Sequence, residues 1–279
     1  MDRAARRAAW LLCLPMLVFL GIFFIVPVGQ MLGLALSPKG ESYSLDLILS
    51  VVSDPFYQRV AIRTLRISLI TTVISVVIAY PVALHLRNVG PRWQSAIILV
   101  MVSPLLTSVV VRTLAWVVLL SQRGILNQAF TGVGLPPMRM LYVEGAVILG
   151  LVHVFFGYMV VSLMTSIRKI DENLYTAAAN LGASRWRQHL EITLPLSLPG
   201  VLTGALLVFI LSASAYATPS LLGGLRISML AVEVFNQAIT YFNWPEAAAI
   251  SIALFVVIAA IVWLVTRVAE GGKRKVIFQ

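Results

Sequence analysis

The sequence predicts an all-α integral membrane protein of six transmembrane helices, and three observations predict it. First, 59% of its 279 residues are hydrophobic and only 11% charged, with a mean hydropathy of +0.94. A soluble domain carries about 25% charged residues, and this chain has too few to cover a surface that faces water. Second, six uncharged runs each supply the roughly 20 residues that a helix needs to cross the hydrocarbon core. Third, none of them shows the apolar–polar alternation over about ten residues that marks a membrane barrel. Disordered, collagen-like and disulfide-scaffold classes fail on the same composition.

The first run, Ala8 to Pro38, is 31 residues long and follows Arg3, Arg6 and Arg7. That pattern begins like a signal peptide, but an h-region spans about 7–15 residues and ends in a small-x-small site, which is missing here. The run is expected to be retained as the first span. Cys13 lies in it as the one cysteine of the chain, so it forms no internal disulfide and reads as a small hydrophobe. Pro27, like Pro81 and Pro104 further on, can kink its span without being a gate.

Ile67 to Leu86 gives the second span. Between the two, Ser37 to Arg63 alternates in charge and is expected to hold a short surface helix near Pro55 to Ile62. The third span is Trp93 to Val111, then Arg112, then ten more uncharged residues to Gln122. A Gly- and Pro-rich loop from Ser121 to Met140 leads to the fourth span, Gly145 to Ile167. The fifth lies in a run of 34 uncharged residues from Ile192 to Leu225 and is expected to start near Pro199. Leu221 to Glu246 then opens with Gly223-Gly224 and continues as an apolar stretch from Ile227 to Ile239. At 13 residues it is too short to span and is expected to be an interfacial helix around Glu233. Ala247 to Thr266 is the sixth span.

Charge sets the orientation. With the N-terminus in the cytoplasm, 13 of the 21 Lys and Arg residues fall in inside segments and six outside. The inside set includes Arg168, Lys169, Arg185, Arg187 and the Lys273-Arg274-Lys275 cluster. That bias places both termini in the cytoplasm. The basic excess therefore reports topology and contact with the lipid bilayer, and no nucleic-acid partner is expected.

The inside segment 168–195 is the most informative. Asp171 is placed to cap a helix whose first turn bears Glu172, a favourable charge at the positive end of the helix dipole. Leu174, Ala177, Ala178 and Leu181 recur at helical spacing and give a shallow apolar face. Gly182 supplies a left-handed stop. Ser184 is placed to cap a second helix from Arg185 to about Ile192, and Pro195 marks the start of the next span. The expected product is a short helix–turn–helix on the cytoplasmic membrane face, the alternative being a plain amphipathic interfacial loop.

These residues resemble the signature of permease subunits of binding-protein-dependent ABC importers: Glu-Ala-Ala, three residues, Gly, then about a dozen residues and Leu-Pro. Here the positions are Thr176-Ala177-Ala178, Gly182, Leu194-Pro195 and Pro199-Gly200, with Thr176 where the family has Glu. Either the chain lacks the ion pair of that Glu, or Glu172 substitutes from one turn earlier. Arg63-Thr64-Leu65 and Ala79-Tyr80-Pro81 resemble the start of the permease core. Pro104 to Ser108, Val111 to Trp116, Gly124 to Asn127, Ala217 to Gly224 and Asn243-Trp244-Pro245 resemble the spermidine/putrescine branch.

The resemblance implies a type I ABC importer permease fold, a single permease domain over 1–279, in the bacterial inner membrane. It implies a coupling role for Thr176, Ala177, Ala178, Gly182 and Pro195 and a second, homologous permease as companion. A dimer of cytoplasmic ATPase subunits that binds ATP and Mg and a periplasmic solute-binding protein complete the implied assembly. The chain itself has no Gly-x-x-x-x-Gly-Lys-Ser/Thr phosphate loop, so no cofactor is expected in it and it is not expected to be an enzyme. Three His and one Cys leave no metal or nucleophile constellation.

Five polar or aromatic residues are candidates for the solute path: Arg112, Trp116, Tyr216, Thr218 and Glu233. An Arg within a span costs about 2.5–3.5 kcal/mol on insertion scales, so Arg112 is expected to face the bundle interior, either on the path or paired with Glu144 or Glu233. Aromatic and acidic groups suit a polyamine through cation–π and charge contacts. Tyr216, Thr218 and Ser220 equally serve helix packing, and His153 reads as a hydrogen-bonded packing residue rather than a proton relay. The function read from the sequence is import of a small solute, a polyamine such as spermidine or putrescine. The alternatives are another small solute (an amino-acid derivative, iron, another organic ion) and a stand-alone ion-coupled secondary transporter.

Overall fold

The structure, a computed structural model, describes residues 14–37 and 43–276, with side chains as far as residue 269. Cys13, Arg3, Arg6, Arg7, Lys39 and the side chains of the Lys273-Arg274-Lys275 cluster lie outside the described residues. All the regular structure described is helical, and six helices are long and apolar enough to cross a membrane. The chain falls into two compact units, Met1–Gln58 with Glu233–Val256, and Arg59–Val232 with Val257–Gln279.

In the first unit, α1 (Leu14–Leu36) is apolar around its whole circumference; its most apolar stretch has no buried residue, and Ala35 near its end is buried. Phe23 and Phe24 are about two-thirds exposed, as a face covered by lipid or by another subunit requires. The Ser44 N–H donates to the Leu36 carbonyl at 2.7 Å and leads into α2 (Asp46–Ser53). Next begins α3 (Pro55–Arg87), with the Asp54 carboxylate accepting from the Phe56 N–H at 2.7 Å. The expected short surface helix at Pro55–Ile62 is therefore the first two turns of the second span. With Asp54 capping and Pro55 at the first helical position, nothing in that stretch stops the helix. Within the same unit, Tyr57 Oη donates to Glu246 Oε1 at 2.7 Å and accepts from Gln237 Nε2 at 3.1 Å.

The second unit is built around α7 (Glu144–Ile167) and α9 (Arg185–Ala213). They approach closely because α9 presents Gly200 and Gly204: a Cβ at Gly204 would lie 2.6 Å from Met159 Sδ, and Ser162 Oγ donates to the Gly200 carbonyl at 2.9 Å. Small residues at this spacing are how membrane helices pack backbone to backbone. Tyr80 on α3 bonds Ser197 on α9 at 3.1 Å. Ala79, Ala83, Leu86, Leu163, Ile167 and Val208 fill the core between these helices.

The stretch expected as the third span is two helices, α4 (Pro91–Leu106) and α5 (Val109–Leu120), parted at Thr107–Ser108. Both pack on α7 through three contacts along its length. Gln94 bonds Arg168, a Cβ at Gly157 would meet the Met101 carbonyl at 2.7 Å, and Trp116 bonds His153. The break has a local cause. Pro104 has no N–H for the Val100 carbonyl; Ser103 Oγ donates to that carbonyl instead, at 2.8 Å. Thr107 and Ser108 are then extended.

After α5, Gly124 permits a tight reversal, since a Cβ there would sit 2.5 Å from the Val118 carbonyl oxygen. The following α6 (Ile125–Gly132) is latched by Asn127, whose amide bonds the Ser121 carbonyl and both carbonyl and N–H of Met138.

The fifth span departs from expectation at both ends. It is helical from Arg185, well before Pro199, and stops at Ala213; residues 217–223 form a separate short helix, α10 (Ala217–Gly223), packed on α5 and α7. Pro195 does not start the helix but deforms it. The preceding turn, His189–Thr193, is widened so that the Leu194 N–H reaches the His189 carbonyl. The same device precedes Pro27, where the Val26 N–H reaches Gly21. In each case a wide turn accommodates a proline that cannot donate and would clash with the preceding turn. The stretch expected as an interfacial helix is α11 (Leu230–Phe235), and Met229, Leu230, Val232 and Glu233 are all buried. The last span begins α12 (Trp244–Val276).

Candidate coupling loop and solute path

Between α7 and α9 the chain forms α8 (Glu172–Asn180) and a sharp turn. Asp171 caps α8 as expected, its carboxylate accepting from the Asn173 N–H at 2.9 Å. The helix ends in a full Schellman motif: the Gly182 N–H donates to the Ala179 carbonyl and the Ala183 N–H to the Ala178 carbonyl, each at 2.9 Å. Gly182 has φ +79°, the left-handed region in which a side chain is strained, yet nothing lies within 4 Å of where a Cβ would be. Ser184 caps the next helix, its hydroxyl accepting from the Arg187 N–H at 3.4 Å.

The loop's outer face is bare. Leu181 is 88% exposed and Trp186 71%, large apolar groups that normally find cover. Thr176 and Ala177 are also exposed and Ala178 is half-buried. The Thr176 hydroxyl bonds back to the Glu172 carbonyl at 3.3 Å, so it offers no charge outward, whereas the Glu172 carboxylate one turn earlier is almost fully exposed. Pro195 is exposed at the widened turn described above.

The inner face is anchored by a residue that sequence reasoning passed over. Tyr175 bonds Thr193 Oγ1 at 2.9 Å, and the guanidinium of Arg87, at the end of α3, stacks 4.2 Å from its ring centroid. Stacking of this kind contributes about 0.5–1 kcal/mol at a partly exposed site. Arg87 also approaches Glu172 at 4.0 Å, a pair too exposed to add much. An aromatic among the small residues of α8 was the available signal. The loop is thereby tied to two long helices, α3 and α9.

Of the path candidates, Arg112, Trp116, Tyr216 and Thr218 lie in the second unit, on α5 and at the start of α10. Arg112 is 8% exposed and its guanidinium donates to the Pro104 carbonyl across the break in the third span. It thus satisfies the carboxyl end of α4, where a cation is favoured by the helix dipole. The expected pairing with Glu144 is not made: that carboxylate is held by Arg66 and by Arg63 at 3.7 Å. Trp116 Nε1 donates to His153 Nδ1 at 3.2 Å, which makes His153 the hydrogen-bonded residue that was expected. Tyr216 packs against the apolar cluster that includes Leu151 and Leu222, and buried Thr218 sets its methyl against Gly150. Glu233 is buried in the first unit, near the Tyr57–Glu246 pair.

Known proteins share this architecture and sequence. Residues 2–274 match the family described as binding-protein-dependent transport system inner membrane component. The chain is 29% identical over 269 residues to the spermidine/putrescine transport system permease protein PotB of Haemophilus influenzae, covering 93% of this chain and 94% of that protein. It is 27% identical over 265 residues to PotB of Escherichia coli K12, covering 92% and 96%. Its fold is similar to a chain of a bacterial ABC transporter involved in the import of the acidic polysaccharide alginate. That likeness has a TM-score of 0.77 at 20% identity, over 96% of this chain and 99% of that one. With six apolar helices and a family match over nearly its whole length, the chain is a multi-pass inner membrane permease subunit of the binding-protein-dependent ABC importers.

Proposed function

We propose that this permease carries a polyamine such as spermidine or putrescine. It works with a second permease, two cytoplasmic ATPase subunits and a periplasmic binding protein, and both its termini and the 168–195 loop face the cytoplasm. The observation that carries the coupling part of this reading is the loop's two-sidedness. Leu181 and Trp186 stand outward around a rigid, doubly capped turn, while Tyr175 and Arg87 fasten its inner side. A groove on the ATPase covers the outer face. The relatives named for spermidine and putrescine transport, together with the buried Glu233, support the choice of solute.

The mechanism follows from continuity of helix. ATP-driven closure of the ATPase dimer displaces the loop. From Arg185 to Ala213 the chain stays helical for 29 residues, about 43 Å at 1.5 Å per residue, so a push on the loop passes through the widened turn at His189–Thr193 to the break beyond Ala213. Through Tyr175 and Arg87 the same push reaches the end of α3. Thr176 contributes no charge to the docking surface, and Glu172 supplies the carboxylate from one turn earlier. The alternating motion opens the permease pair to one side and then the other, and this chain forms one wall of the path as a single permease domain.

The reading is tested by purifying the tagged chain from its native membrane in mild detergent and identifying its companions by mass spectrometry. An ATPase and a second permease are expected. Recovery of the chain alone, active in transport by itself, would contradict the proposal.

A further inference from the structure

Gln94 is a buried amide at a position where the helix pattern calls for an apolar side chain. Ile97, Ile98 and Met101 pack against the core from α4, and Gln94 continues their face at helical spacing, only 6% exposed. Both ends of its amide are used. Nε2 donates to the Leu86 carbonyl at 3.0 Å, in the last turn of α3, and Oε1 accepts from the Arg168 guanidinium. Arg168 directly follows α7, and only Lys169 and the buried Ile170 separate it from Asp171, the cap of α8. One side chain of α4 therefore joins the end of α3 to the entry of the loop.

Capping does not account for this arrangement. The Leu86 carbonyl already accepts from the Val89 N–H at 3.3 Å. Arg168 is an exposed residue that water would satisfy, and holding its long side chain on Gln94 costs conformational entropy. The neighbouring contact has the same direction: Arg87, next to Leu86, stacks on Tyr175 of α8. The end of α3 is thus tied to the loop twice, once by α8 itself and once by way of Gln94. At its other end α4 is parted from α5 at Thr107–Ser108, where the helical ladder stops. The Arg112 side chain reaches across to the Pro104 carbonyl, a tie that turns about its own torsions as a backbone ladder does not.

We infer that Gln94 is a positioning residue for coupling. It carries displacement of the loop's entry from Arg168 into α4, so that α4, the end of α3 and the loop move as one body relative to α5. The inference rests on the coupling reading proposed above and adds α4 to the elements that the loop drives.

The experiment uses the complete complex with its binding protein in proteoliposomes and measures labelled spermidine taken up per ATP hydrolysed. The Tm of the detergent-solubilised complex is the second readout. Gln94→Leu keeps the size of the side chain and removes both bonds, and Arg168→Met removes the same contact from an exposed position. Each is expected to lower the ratio at least about threefold, and the double variant no further than either alone, because the two residues act through one bond. Gln94→Glu keeps an oxygen for Arg168 and is expected to restore most of the ratio. An unaltered ratio with Arg168→Met, whatever the Tm, would reduce Gln94 to a cap and overturn the inference, as would losses that multiply in the double variant. Should Gln94→Leu fail to assemble, Arg168→Met decides alone by the same ratio. An unaltered complex that takes up no spermidine with ATP would overturn the importer reading and the inference with it.

Discussion

The hydroxyls of Tyr175 and Thr193 bond at 2.9 Å, joining the short exposed helix of the loop to the widened turn in the first part of the fifth span. A displacement of α8 is thus delivered to α9 at two points, through the backbone at Ser184 and through this side-chain bond. Tyr175→Phe removes the second point while keeping the ring under Arg87. A partly buried hydrogen bond of this kind contributes about 1 kcal/mol. Solute uptake per ATP hydrolysed is expected to fall several-fold in reconstituted complexes, with recovery of the ATPase unchanged. An unaltered ratio would show that the backbone alone transmits the movement.

Gly182 separates strain from bulk. Any side chain at φ +79° costs about 1–2 kcal/mol, but the space around the position is open. Gly182→Ala is therefore expected to retain most of the uptake. Gly182→Trp carries the same strain and adds a large group on the proposed docking face, and is expected to insert normally yet lose uptake. Membrane level by immunoblot and solute uptake, measured side by side, check both variants; normal uptake with Gly182→Trp would count against the coupling role.

Where α4 meets α7, Gly157 allows backbone contact with Met101. Gly157→Val forces the two helices apart, an overpacking that costs about 1–3 kcal/mol. The detergent-solubilised complex is expected to melt several degrees lower, read by its Tm. An unchanged Tm would mean that α4 shifts freely at the Thr107–Ser108 break.

Glu233 tests the choice of solute. Glu233→Gln keeps the size and hydrogen-bonding capacity of this buried side chain and removes its charge. If the solute is a polyamine, the KM for spermidine uptake is expected to rise about tenfold or more, since one charge pair in a partly desolvated site is worth well over 1 kcal/mol. Unchanged kinetics would remove the residue from the path.

What the sequence made legible depended on the range of the interaction. The cap at Asp171, the left-handed turn at Gly182 and the cap at Ser184 are set by residues within a turn of one another, and all three are found as expected. Span number and approximate limits also follow from local hydropathy. The break at Thr107–Ser108 was only half visible: Pro104 signals a lost hydrogen bond, but whether the helix kinks or parts depends on the Ser103 hydroxyl and on Arg112 reaching back.

Partners distant in sequence left no trace. Arg112 binds the Pro104 carbonyl instead of a carboxylate, and Glu144 spends its charge on Arg63 and Arg66. The start of the second span was hidden for another reason. Arg59, Arg63 and Arg66 resemble a loop's charges, while in the structure they ride on the first turns of a continuous helix. Tyr175 was passed over because one aromatic in a row of alanines has no periodicity to announce it.

Uptake of labelled spermidine into proteoliposomes that hold the complete complex and binding protein tests the account most directly. With ATP supplied on the loop side, spermidine is expected to accumulate against its gradient, and the Gly182→Trp complex is expected not to accumulate it. Accumulation that persists without ATP, or that an imposed ion gradient drives through this chain alone, would contradict the account.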